Sequence, residues 1–150
     1  MLISLGIIGL LLGLLGAAAM TITKTGLTTQ SVQAYYLGTA GDGPDAELTA
    51  TGPRPFDELA EVTHLHLMGG SLLLFFLCHL LSLCDVSENT RIVLYVGAFV
   101  TFLLTFGLPW LIIYGSPGFA RAFPPSIVGF MILLVVVSLI PLKEMWLGRR

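Results

Sequence analysis

The chain has 150 residues, of which 55% are hydrophobic and only 11% charged, whereas a soluble domain carries about 25% charge. With a mean hydropathy of +0.91 it lacks the polar surface that solubility demands and reads as a membrane protein. The length accommodates a single domain, and a net charge of −2 with a pI near 5.8 supplies no basic field, which excludes nucleic-acid binding.

A bilayer core of ~30 Å needs about 20 apolar residues in a helix, and four stretches qualify: 2–20, 62–83, 92–114 and 126–145. They predict an all-α fold, a bundle of four transmembrane helices, with residues 21–60 as a loop of about 40 residues between the first two. The first stretch ends in Ala17, Ala18 and Ala19, as signal peptides do, but no Lys or Arg precedes its apolar run; it is expected to stay as a helix. It carries Gly6, Gly9, Gly13 and Gly16, a row of small residues of the kind that lets membrane helices approach closely. This face is the expected contact with other membrane subunits or with a second copy.

In the loop, Gly26–Gly38 has Thr28 and Thr29 as possible N-caps and Gly38 as a possible C-cap, which predicts a short interfacial helix. Tyr35 and Tyr36 suit that depth. Thr39–Pro53 is rich in Gly, Pro and Asp and reads as a linker. From Pro55 the chain can run helically to about Leu83, which is ~42 Å, so the second helix is longer than its span. Pro109 is expected to kink or end the third helix, Pro124 and Pro125 to start the fourth, and Pro141 to bend its far end. Basic residues favour the cytoplasmic side. Arg91, Lys143, Arg149 and Arg150 lie on one side against Lys24, Arg54 and Arg121 on the other, which predicts both termini inside and the 21–60 loop outside the cytoplasm.

All three histidines, His64, His66 and His79, fall on the second helix. At 100° per residue, Glu61, His64, Met68, Ser71, Phe75, His79 and Ser82 lie within roughly 60° of one another, a polar stripe along the membrane depth. His66 lies on another face with Gly70 and Leu73. Ionisable groups inside a membrane usually face a bundle interior, a partner or a cofactor; the plain alternative is a neutral imidazole bonded to a hydroxyl or carbonyl.

His64 and His79 are ~22 Å apart along the axis and point the same way, a spacing suited to axial ligation of b-type haem iron near each membrane face. The other helices hold no histidine, so the second ligand is expected from Met131, Met145, a second copy or another subunit. Glu61, His64 and Met68 form a partial copper-type site, whereas His64 and His66 point about 160° apart and cannot share an ion. His64 with Glu61 one turn earlier also suits a quinone site, where the pair could bond and deprotonate a quinol. Cys78 and Cys84 read as packing residues, and no motif for covalent haem, zinc, nucleotide or hydrolase chemistry occurs.

The segments GLTTQSVQAYYLG at 26–38, FDELAEVTHLHLMG at 56–69, PWLIIYGSPGFA at 109–120 and PLKEMW at 141–146 resemble those of a family of small four-helix bacterial inner-membrane proteins of unestablished function. That resemblance implies a multi-pass location in a bacterial inner membrane. The far-spaced histidines on one helix are also similar to those of membrane cytochromes b, without the histidines of a facing helix. The expectation is a non-catalytic subunit of an electron-transfer complex in the lipid bilayer, with His64, His79, His66, Glu61 and Met68 contributing to a haem b or quinone site. The alternative is a cofactor-free structural or assembly subunit.

Overall fold

A computed structural model describes residues 1–40 and 50–147. The middle of the expected linker and the tail residues Arg149 and Arg150 lie outside the described residues. The described chain is all-helical: α1 (Leu2–Met20), a π turn (Thr21–Thr25), α2 (Thr29–Leu37), α3 (Phe56–Ser82), α4 (Glu88–Tyr114), a 3-10 segment (Pro117–Ala122) and α5 (Phe123–Leu147). Four helical stretches are long and apolar enough to cross a membrane: Leu2–Thr25, Phe56–Ser82, Glu88–Tyr114 and Pro117–Leu147.

The first helix runs past its expected end at Met20. The hydroxyls of Thr21 and Thr23 donate to the carbonyls of Ala17 and Ala19 at 2.9 and 2.8 Å, which supports a wider π turn through Thr25. Gly26, at φ 73°, then reverses the chain, a conformation that a side chain would strain. Thr28 begins α2 with a capping box, its hydroxyl accepting from Ser31 N–H while the Ser31 hydroxyl accepts from Thr28 N–H, and this satisfies two amides that the first turn leaves without partners. Backbone bonds from Thr51 N–H to Thr39 C=O and from Arg54 N–H to Tyr36 C=O, each 3.0 Å, return the chain from α2 to the start of α3.

Pro109 does not end α4, which continues to Tyr114, and α5 likewise runs through Pro141 to Leu147. Proline interrupts a membrane helix less than a soluble one because packed neighbours compensate for the missing bond, and both rings are buried. Ser87 caps α4 by accepting from Thr90 N–H. The short α3–α4 connection is held by Arg91, which donates to the carbonyls of Cys84 and Val86 at 3.1 and 3.2 Å, and by Glu144, which accepts from Asp85 N–H at 2.8 Å.

Helices α3, α4 and α5 form the packed body. Lipid is as apolar as leucine, so their association rests on close packing. Leu77, Leu81, Ala98, Phe102, Leu134 and Val137 interlock in one cluster. A second, at the end bearing α2, joins Val32, Tyr36, Leu59, Leu108, Ile112 and Phe123. By contrast, only Ser4 and Ile7 of α1 are buried, against seven residues each in α4 and α5. Among the long helices α1 packs closely on α5 alone, and no Cα of α1 comes within 8 Å of one in α3.

Candidate functional site: a groove between the first and second membrane helices

Because α1 leans on α5 and misses α3, the space between them is an apolar groove of about 760 Å³, within the 300–1,000 Å³ typical of small-molecule and cofactor sites. Leu10, Gly13, Leu14 and Ala17 form the α1 wall, and Val62, Leu65, His66, Gly69, Gly70 and Leu73 the α3 wall. Phe102, Phe106, Phe130, Met131 and Leu134, from α4 and α5, lie between them. The end nearest α2 is polar, with Lys24, Thr25, Tyr35, Tyr36, Arg54, Glu58 and Thr63.

His66 is the histidine of the groove. Its ring stacks on Phe106 with centroids 4.8 Å apart and planes at 28°, and Nδ1 lies 2.7 Å from the Val62 carbonyl one turn earlier. A carbonyl can only accept, so Nδ1 is the donor in this bond, and the tautomer that it selects has Nε2 as its acceptor nitrogen. The aromatic floor continues from Phe106 to Phe102 and Phe130. Phe102 comes close to α3 because residue 70 is glycine: a Cβ there would lie 2.5 Å from Cε2 and 2.9 Å from Cζ of that ring.

At the mouth, Tyr36 is buried between Tyr35 and Phe123, with ring centroids at 4.9 and 5.6 Å. Burial holds its phenol well above the ordinary tyrosine range, so it stays neutral. The Arg54 guanidinium lies 3.9 Å over the Tyr35 ring, donates to the Tyr35 carbonyl and pairs with Glu58. Trp110 donates to the Thr63 hydroxyl at 2.9 Å and packs edge-on against Phe56, tying α3 to α4 at the same level.

The stripe singled out by its spacing faces the other way. Glu61, His64, Met68, Phe75 and His79 are exposed, as His66 is too, but none of these five lines the groove; Phe75, with Ser71, lines a smaller recess against Tyr95 and Phe99 of α4, and His79 stacks on Phe75 at 6.2 Å. The stripe does not line the bundle interior, because α4 and α5 pack on the face that carries Leu59, Leu74, Leu77 and Leu81. Of the proposed ligands, only His66 and Met131 reach the groove. Met145 lies at the other end, 3.9 Å from the Ser4 hydroxyl. No three His, Cys, Asp or Glu side chains converge on a common point among the described residues. Gly70 beside His66 was the readable hint: a glycine on the histidine's own face.

In comparisons with known proteins, a family model described as the transmembrane helical domain Aq_1264_TM matches residues 26–150, taking in α2 to α5 and leaving out α1. No curated protein and no solved structure matches. The match extends over most of the chain, which therefore belongs to the Aq_1264_TM family of transmembrane helical domains.

Proposed function

We propose that the protein is a membrane subunit of an electron-transfer assembly that binds a quinone in the groove between α1 and α3. The observation that carries this reading is the His66 imidazole, fixed by Val62 and Phe106, with an acceptor nitrogen available in an apolar groove. A quinol hydroxyl can donate to that nitrogen and pass it a proton. The gap between α1 and α3 gives an isoprenoid tail lateral access from lipid. Gly13, Ala17, Gly69 and Gly70 leave it width. The expected Glu61–His64 pair lies on the outer face, so the quinone role passes to His66.

Haem b is the second reading, favoured by Met131 sharing the groove with His66. A His and Met pair ligates haem iron, and an Nδ1 proton given to a backbone carbonyl is the usual way to orient a metal-bound imidazole. His64 and His79 on the outer face would need ligands from another chain.

In this reading the α2 end faces away from the cytoplasm of a bacterial cell, as the basic residues suggest. The rest of the α1 glycine row, outside the groove, is the surface for neighbouring subunits: a Cβ at Gly6, Gly9 or Gly16 meets nothing within 4 Å.

The deciding experiment is a titration of the detergent-purified protein with a short-chain quinone, read by quenching of tryptophan fluorescence, beside a reduced-minus-oxidised visible spectrum. Saturable quenching that His66→Ala weakens and His79→Ala preserves supports the quinone. Haem bands that vanish in His66→Ala move the assignment to haem. Folded protein with neither signal leaves the structural subunit as the function.

A further inference from the structure

The mouth of the groove carries charge for which a quinone head has no use. Lys24 stands on the α1 side at the end of the π turn, and Arg54 on the α3 side just before that helix; Glu58 is the one carboxylate among the described residues that lines the groove with them. Among the described residues that line the mouth, two cations stand against one anion. Arg54 is held in place: Nε donates to the Tyr35 carbonyl at 3.3 Å, one terminal nitrogen meets Glu58, and the guanidinium rests on the Tyr35 ring. Its other terminal nitrogen has no partner among the described residues. Lys24 has no carboxylate within 4.0 Å among them either, and its side chain is exposed.

We propose that these two residues seat the headgroup of an anionic phospholipid, its phosphate between Lys24 and Arg54 and an acyl chain following the apolar groove beneath. Two features select this occupant. A fixed planar guanidinium and a mobile ammonium on opposite walls suit a phosphate, the first by its fork and the second as a point charge. Directly below, Leu14, Ala17 and Val62 offer an apolar path to a tethered chain and nothing to a free anion. The polar contacts of this site lie at the mouth and do not involve His66, while its acyl chain would share the groove with a quinone tail, so the test is run on protein to which no quinone has been added.

The test counts lipid retained by the full chain in non-ionic detergent by native mass spectrometry, after titration with phosphatidylglycerol or phosphatidylcholine. Phosphatidylglycerol is expected to be held preferentially as a single bound molecule. Lys24→Gln should cut that preference about fivefold, the equivalent of ~1 kcal/mol for one basic residue near a lipid surface. Lys143→Gln, at the opposite end of the bundle, should leave it intact. Among the described residues Lys24 makes no side-chain hydrogen bond whose loss would unfold the chain, and an unchanged lipid-free melting temperature verifies this. Arg54→Gln supplies the second arm. Equal retention of the two lipids, a preference untouched by Lys24→Gln and Arg54→Gln, or displacement by millimolar inorganic phosphate would each overturn the proposal, the last by identifying a soluble anion site.

Discussion

His66 lies against Phe106, ring on ring at 4.8 Å, and this contact ties the one imidazole of the groove to α4. The Val62 bond sets the ring's tautomer while Phe106 sets its tilt. An aromatic pair is worth about 0.5–1.5 kcal/mol beyond its buried area. Phe106→Leu, which keeps most of the volume, should therefore weaken quinone binding roughly 2- to 10-fold in a fluorescence titration. His64→Ala, on the outer face, should leave the affinity unchanged. Equal losses from both substitutions would remove the groove as the site.

Gly70 makes the floor of the groove possible. Since a Cβ there would drive into the Phe102 ring, and Phe102 is 1% exposed within the central cluster, the ring has little freedom to withdraw. Gly70→Ala is expected to cost about 1–3 kcal/mol as overpacking. A lowered melting temperature in detergent that Phe102→Leu partly restores would show the clash to be the cause. Gly69→Ala is the control, because a Cβ at Gly69 meets nothing within 4 Å.

The four spans were legible because twenty apolar residues in a row have few other fates, and α2 because Thr28 and Gly38 mark its ends. Which side of α3 faces inward was not. In a soluble protein the polar stripe of Glu61, His64 and His79 would mark the surface, and in a membrane it suggests an interior; lipid and protein core are equally apolar, so periodicity alone does not separate them. The decision rests on Leu74, Leu77 and Leu81 fitting against α4 and α5, which turns His66 toward α1. The groove itself depends on α1 missing α3, a relation between distant segments that no local pattern encodes.

Thr63 and Trp110 brace the groove near its mouth through a 2.9 Å hydrogen bond. Hydrogen bonds between membrane helices average about 0.6 kcal/mol, so Thr63→Val, similar in shape but lacking the acceptor, should lower stability only slightly. The indole N–H would lose its partner, and Trp110 emission should change in position. A spectrum identical to that of the parent would show that Trp110 draws nothing from Thr63.

Cys84 gives a pH-dependent prediction at the opposite end of the bundle. Burial first, and then the nearby Glu144 carboxylate, push its thiol up to about 11 from the ordinary 9.0, with Arg91 opposing. A group whose folded pKa is raised contributes stability that is intact below the unfolded value and is lost as pH climbs through the folded one. The fold should therefore weaken between about pH 9 and 11. The thiolate is the reactive form, so Cys84 in the folded protein should resist iodoacetamide at pH 8 and react readily once unfolded. Glu144→Gln removes one upward push and should shift the alkylation profile to lower pH, each pKa unit giving about tenfold more thiolate at a fixed pH. The readout is mass spectrometry of the Cys84 peptide in a Cys78→Ala background. A profile that Glu144→Gln does not move would leave burial as the sole cause.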